Sequence, residues 1–399
     1  QRILVICSIA NSSADGYNTN RNRETCKECD LRNAVTSVMK ENKIMKMISR
    51  RDFLKASAVV GATGVLTACG GSSASTAASS TAASTAASST AAASGSANIG
   101  VCIYQFADNF MTLYRTDLEE YLKDMGYAVT IVDGKNDQNT QTEQINTFLQ
   151  QGVDVLVINP VQTTSAQTIV DTIKPSETPI VFINREPEKA VLDSYAGKCC
   201  YVGADARQSG TYQGELILET ETQGDINGDG KITYIMCKGD PENIDAQYRT
   251  EYSIKALTDA GKEVECLYEY LDNWDQTTAQ QDVANALAQY GEKIEVVFCN
   301  NDDMAIGVIA ALNEVGYNLG DGGDEIIVIG VDCTDTAVEY INAGKLYGTV
   351  KQDGDAMGKA NILMAINGAL GKDWLDGTDY TMADDGFSIR IPYAKITAE

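Results

Sequence analysis

The chain has 399 residues, 44 % of them hydrophobic, enough for two folded domains plus extra segments. Its formal charge is −25 at pH 7, and with no basic cluster beyond the amino-terminal region it lacks the cationic face that nucleic acid requires. It contains no histidine, which removes the commonest catalytic base and zinc ligand, and neither a nucleophile elbow nor a phosphate-cradling glycine motif occurs.

Residues 1–44 read as upstream sequence outside the natural start. Cys26-Lys-Glu-Cys29 has no second pair to complete a zinc site. Met45 or Met47 begins a better-formed segment, 45–69. Its Ser49-Arg-Arg-Asp-Phe-Leu-Lys55 resembles a twin-arginine export signal. An apolar run over 56–68 follows, too short to span a bilayer. Leu66-Thr-Ala-Cys69 resembles a bacterial lipobox, which implies a lipid on Cys69. Residues 70–97 are almost entirely Ser, Ala, Thr and Gly and read as a flexible tether with a span of roughly 30 Å. The expected location is extracytoplasmic, with a lipid anchor in the membrane.

From residue 98 the pattern alternates. Strands are expected over 99–104, 129–133, 155–159, 180–184, 232–237, 264–270, 295–300 and 326–331, and helices over 110–125, 140–151, 206–220, 246–260, 277–290 and 356–370. This is the α/β signature of two doubly wound parallel-sheet domains. The stretch 293–302 is central. After its buried strand a helix begins, with Asp302 as the expected cap and Met304, Ile306, Ile309, Ala310 and Leu312 on the following turns. Asn300, Asn301 and Asp302 therefore stand at a strand's carboxyl end, where open α/β sheets bind ligands. Glu295 stands at the other end, roughly 20 Å away. Cys102, Cys237, Cys299 and Cys333 fall in or just after apolar strands and read as small core residues.

Other residues gather at strand ends: Asp108 and Phe110, Asn159, Asp245 and Arg249 one helical turn apart, Trp274, Asn301 and Asp332. A sugar needs this mixture. Its hydroxyls donate to carboxylates and accept from a guanidinium, and its C–H faces pack on flat rings. Asp225-Ile-Asn-Gly-Asp-Gly-Lys-Ile-Thr233 matches the first nine positions of an EF-hand loop, with side-chain oxygens from Asp225, Asn227, Asp229 and Thr233 and a carbonyl from Lys231. Position 12 is Met236, and a strand rather than a helix follows, so the bidentate carboxylate comes from elsewhere.

These motifs, together with Ile103-Tyr-Gln-Phe-Ala-Asp-Asn-Phe-Met111, Ile294-Glu-Val-Val297, Asn300-Asn-Asp302, Gly330-Val-Asp332 and Arg390-Ile-Pro-Tyr393, occur in order over residues 98–399. They resemble the bacterial periplasmic galactose/glucose-binding proteins of ABC sugar transport. The resemblance implies a type I periplasmic-binding fold with a three-crossing hinge. One lobe would comprise 98–204 and 353–384, and the other, carrying the calcium loop, 205–352 and 385–399. It implies that Phe110 and Trp274 sandwich a pyranose, D-glucose or D-galactose, while Asp108, Asn159, Asn243, Asp245, Arg249, Asn301, Asp332 and Gln352 bond its hydroxyls. It also implies structural calcium, with Glu295 completing Asp225, Asn227, Asp229, Lys231 and Thr233. The implied partners are an ABC permease and a chemoreceptor, and no bond is broken. Three positions depart from the pattern: Asn243 replaces a histidine, Gln352 an asparagine and Thr233 a glutamine. The alternatives are a binding protein for a pentose or inositol, a sensory ligand-binding module, or a carboxylate-based glycosidase.

Overall fold

The computed structural model describes residues 97–398; the expected signal, lipobox, Cys69 and most of the tether lie outside these. The described chain builds two six-stranded sheets. In chain order the first lobe contains β1 (Asn98–Ile103), α1 (Asn109–Asp124), β2 (Ala128–Asp133), α2 (Gln138–Gln151), β3 (Val155–Ile158), α3 (Ala166–Ile173), β4 (Ile180–Ile183), α4 (Lys189–Ser194) and β5 (Cys199–Gly203). The second contains α5 (Ala206–Leu218), β6 (Lys231–Lys238), α6 (Ile244–Asp259), β7 (Glu263–Leu271), α7 (Gln276–Tyr290), β8 (Val296–Cys299), α8 (Asp302–Glu314), β9 (Ile327–Asp332), α9 (Asp335–Asn342) and β10 (Gly348–Lys351). The chain then returns to the first lobe for α10 (Gly354–Ala369) and β11 (Ser388–Arg390), and ends in the second with β12 (Ala394–Thr397).

The sheet orders are β11-β5-β4-β3-β1-β2 and β12-β10-β9-β8-β6-β7. Central strands such as Val-Leu-Val-Ile in β3 and Val-Val-Phe-Cys in β8 are wholly buried, as strands covered on both faces must be. Most long helices start on a side-chain cap. Asp108, Asp137, Asp205, Asn243, Asp275, Asn301 and Asp353 each accept a first-turn N–H. The sheets thus present cap residues along their carboxyl edges, where the lobes face each other.

Four expectations change. Twelve strands occur among the described residues, not eight. The additional β5, β10, β11 and β12 have five residues or fewer, and unlike the equally short β3, β4 and β8 they do not open on a run of Val, Ile, Leu or Phe. Not every pairing is parallel, because β12 runs antiparallel to β10 and closes that edge. The third hinge crossing lies after Arg390 rather than near Asp384. Ser388–Arg390 pairs with Tyr201–Gly203, which places residues 385–390 in the first lobe. Finally, Asn301, not Asp302, caps α8 by accepting from Met304 N. Asp302 is buried in the helix's first turn, where it accepts from Thr349 Oγ1 at 2.6 Å and Thr334 N at 2.8 Å.

Helices α5 and α6 pack closely because small residues meet. A Cβ on Gly214 would stand 2.4 Å from the Ser253 carbonyl oxygen and 2.6 Å from Ala256 Cβ. Gly214→Val should therefore cost about 1–3 kcal/mol by overpacking and lower the melting temperature by about 2–10 °C, as thermal denaturation followed by circular dichroism would read.

Candidate functional site

A cavity lies between the lobes, at the facing carboxyl ends of the two sheets. The first lobe contributes Tyr104, Asp108, Phe110, Met111, Asn184 and Arg185 to its wall. The second contributes Asn243, Asp245, Arg249, Trp274, Asn301 and Asp332, with Gln352 at the crossing. It offers about 30 Å³ to the centre of a water molecule.

Nine of the ten residues expected to bind sugar line this cavity; Asn159 does not. Its side chain is wholly buried behind the wall. It accepts from Tyr104 N at 3.2 Å and donates to the Ile183 carbonyl at 3.3 Å and to Asn184 Oδ1 at 2.9 Å. Asn159 therefore ties the ends of β1, β3 and β4 together, and Asn184 is the asparagine that reaches the wall. Asn184 lies directly after a strand and was open to the same strand-end argument. Tyr104 and Arg185, which also escaped the sequence reading, sit as an aromatic at a strand end and a cation after a turn.

Three wall residues keep left-handed backbone that bulky residues avoid: Asn184 at φ 57°, Trp274 at φ 70° and Asp332 at φ 120°. Such strain persists only where the surroundings impose it. Trp274 rests on Gly239, where any Cβ would come within 2.3 Å of the indole. Only glycine lets that ring lie flat against the β6 loop. On the opposite lobe, Phe110 stacks on Tyr114 with ring centroids 6.2 Å apart.

Arg249 is the polar centre. Its Nη1 donates to the Asn300 carbonyl at 2.7 Å, and its Nη2 to Gln352 Oε1 at 2.7 Å and Tyr393 Oη at 3.2 Å. Asp245 and Asp332 stand 3.8 and 3.9 Å from the guanidinium. Arg249 Nε and Trp274 Nε1 are buried donors with no protein acceptor. Asn243 Oδ1 accepts from Asp245 N at 2.9 Å. Tyr104 Oη donates to Asp108 Oδ2 at 2.5 Å, while Asp108 Oδ1 accepts from Met111 N. Asp108, Asn243 and Asn301 are thus helix caps and cavity walls at once.

In the candidate metal loop, Asp225 accepts from Gly228, Asp229 and Gly230 N–H groups, and Asn227 Oδ1 from Asp229 N. Glu295, nearly inaccessible to solvent, accepts from Asn227 N at 2.9 Å and Thr233 N at 2.8 Å. The Thr233 hydroxyl sits against Glu295 and the Lys293 carbonyl. Glu295, on the chain entering β8, is therefore joined directly to the loop. Among the described residues, no three His, Cys, Asp or Glu side chains form a metal-holding group.

Burial raises the Asp245 carboxyl to about 6, against the pull of Arg249. Burial also raises Asp302 to about 7 against its hydrogen bonds from Thr349 and Thr334, and Asp272 to about 7 with Asp282 adding to the shift. Unfolded, each would titrate near 3.9. Between about pH 4 and 7 the native state therefore holds protons that the unfolded state has released, and stability falls as pH rises. The melting temperature, measured with chelator and without sugar, should be at least about 3 °C higher at pH 5 than at pH 8.

Residues 99–373 match the periplasmic binding protein domain, and residues 47–67 match the twin-arginine translocation pathway signal sequence. The chain is 36 % identical over 303 residues to the D-galactose/methyl-galactoside binding periplasmic protein of Haemophilus influenzae, covering 75 % of this chain and 88 % of that protein. It is 27 % identical to a ribose import binding protein of Bacillus subtilis, over 65 % of this chain and 78 % of that one. A solved ABC transporter solute binding protein from Bacillus halodurans with bound myo-inositol superposes with a TM-score of 0.64 at 29 % identity, covering 76 % of this chain and 96 % of that chain. The chain thus carries an export signal ahead of the described residues and belongs to the periplasmic binding protein family, whose members bind solutes outside the cytoplasm and are not enzymes.

Proposed function

We propose that this protein captures a neutral monosaccharide, D-glucose or D-galactose, between its lobes and delivers it to an ABC permease for import. The observation that carries this reading is the wall of the cavity. Asp108, Asp245 and Asp332 are its acceptors, Arg249 and the amides its donors, and Phe110 and Trp274 its flat faces. Three carboxylates face two guanidinium groups, Arg185 and Arg249, so no surplus positive charge awaits an acidic sugar. The galactose-binding relative supports a hexose. A cyclitol or pentose is the second reading, supported by the relatives with myo-inositol and ribose in their names and by Gln352, whose Oε1 is already bonded to Arg249.

Titration calorimetry against glucose, galactose, ribose, myo-inositol and galacturonate tests it. Glucose or galactose should bind tightest, and galacturonate at least about 100-fold more weakly. Trp274→Ala and Asp245→Ala should each weaken binding at least about tenfold, or 1.4 kcal/mol. Absence of heat with every neutral sugar would refute the assignment.

The loop at Asp225–Thr233 with Glu295 is proposed as a structural calcium site. Its donors are all oxygens, the chemistry calcium takes, and Glu295 already touches the loop. Asp225, Asn227, Asp229, the Lys231 carbonyl, Thr233 and Glu295 would hold the ion, which would fasten the loop to β8. Chelation should lower the melting temperature yet leave sugar binding intact at low temperature; an unchanged melting temperature would remove the metal. Cys69 is proposed as a lipid anchor on the strength of its lipobox context. Cys69→Ala should move the exported protein from the membrane to the soluble fraction, and an unaltered distribution would count against the anchor.

A further inference from the structure

Few polar contacts join the two lobes across the cleft, and one is charged. Asn109 Nδ2 donates to Asp303 Oδ1 at 2.8 Å, and Thr163 Oγ1 to the Glu242 carbonyl at 3.1 Å. Arg185 Nη1 lies 3.4 Å from Asp240 Oδ2. Arg185 belongs to the first lobe, directly after Asn184 at the end of β4, and Asp240 to the loop after β6 in the second.

Arg185 is held in a particular way. Its guanidinium lies over the Tyr104 ring, 3.9 Å from the centroid, and Nη1 also donates to the Val161 carbonyl. The Arg185 side chain is only 3 % exposed, whereas Asp240 is 28 % exposed. A guanidinium removed from water needs a counter-charge. Within its own lobe it has a ring face and a carbonyl. Its one carboxylate contact, Asp240, belongs to the other lobe, as does Asp245, whose carboxyl feels its field; in its own lobe Asp108 is reached only through Tyr104, and Glu186 is paired with Arg390. Tyr104, beneath the guanidinium, donates to Asp108 in the cavity wall.

We propose that Arg185 is a closure-positioning residue. Its one direct carboxylate contact, with Asp240, spans the two lobes, so it sets the closed population and thereby the rate at which bound solute escapes. Opening separates the cation from Asp240 and Asp245 and returns it to solvent beside Tyr104. A ligand that draws on Asp108 is thus coupled, through the Tyr104 ring, to the latch. The kinetic half of this inference rests on the sugar reading; the conformational half does not.

The test uses Arg185→Gln, Asp240→Asn and the double variant. Asp240 is not part of the cavity wall, so its substitution removes the latch without removing a sugar contact. Stopped-flow tryptophan fluorescence with galactose and glucose should show Asp240→Asn releasing sugar at least about tenfold faster, with association changed by less than about threefold; Arg185→Gln, which also alters the cavity wall, should release at least as fast. The double variant should release no faster than about twofold beyond Arg185→Gln alone, because the contact with Asp240 is already lost in that variant. Small-angle scattering without sugar should give each variant a larger radius of gyration than the parent protein. Wild-type release rates, losses carried by association, or additive effects of the two substitutions would overturn the proposal. If neither sugar binds the parent protein, the function proposed above fails, and the sugar-free scattering alone decides the latch: equal radii refute it.

Discussion

One buried guanidinium organises the second lobe and its junctions. Arg249 leaves α6 and bonds the Asn300 carbonyl after β8, Gln352 at the second crossing and Tyr393 at the third. Burial alone would disfavour its charge, yet Tyr393, Asp245 and Asp332 hold its pKa above the ordinary arginine range. The same group is therefore a structural tie between two hinge segments and a donor in the cavity wall. A buried cation with carboxylates set just under 4 Å away is a local conflict between solvation and function. The close α5–α6 packing, with Gly214 against Ser253, holds the helix that carries it.

The features legible in the sequence were those with a short-range cause. Runs such as Val155–Ile158 and Val296–Cys299 announce buried strands. Polar and aromatic residues at the strand ends announce seven of the wall residues, Asp108, Phe110, Asp245, Arg249, Trp274, Asn301 and Asp332, while Asn243 and Gln352 were legible only through the family resemblance. What stayed hidden depended on partners far along the chain. β11 is three residues long and exists because β5 offers it an edge. Asn159 and Asn184 follow neighbouring apolar strands and look alike in sequence; only the bond between them reveals that one supports and the other reaches the cavity. Arg185 was invisible for the same reason, since its role depends on a ring 81 positions earlier and a carboxylate 55 positions later.

The helix caps show that capping a helix and forming the cavity wall need not compete. Asp108, Asn243 and Asn301 each satisfy a first-turn N–H, and the same positions bring the residues to the facing sheet edges. A cap is held by its helix at little cost in side-chain entropy. The wall is thereby preorganised by the helices that carry it.

Those crossings have a consequence for biosynthesis. The first lobe is not contiguous: its sheet receives β11 and its covering helix α10 only after every strand of the other lobe except β12 has emerged. A ribosome making this chain therefore cannot release a finished amino-terminal half while the remainder is being translated, as it can for domains arranged end to end. The partly exposed edge of β5 must wait about 180 residues of synthesis for its neighbour. Both halves reach completion almost together, as β11 and β12 emerge within ten residues of each other.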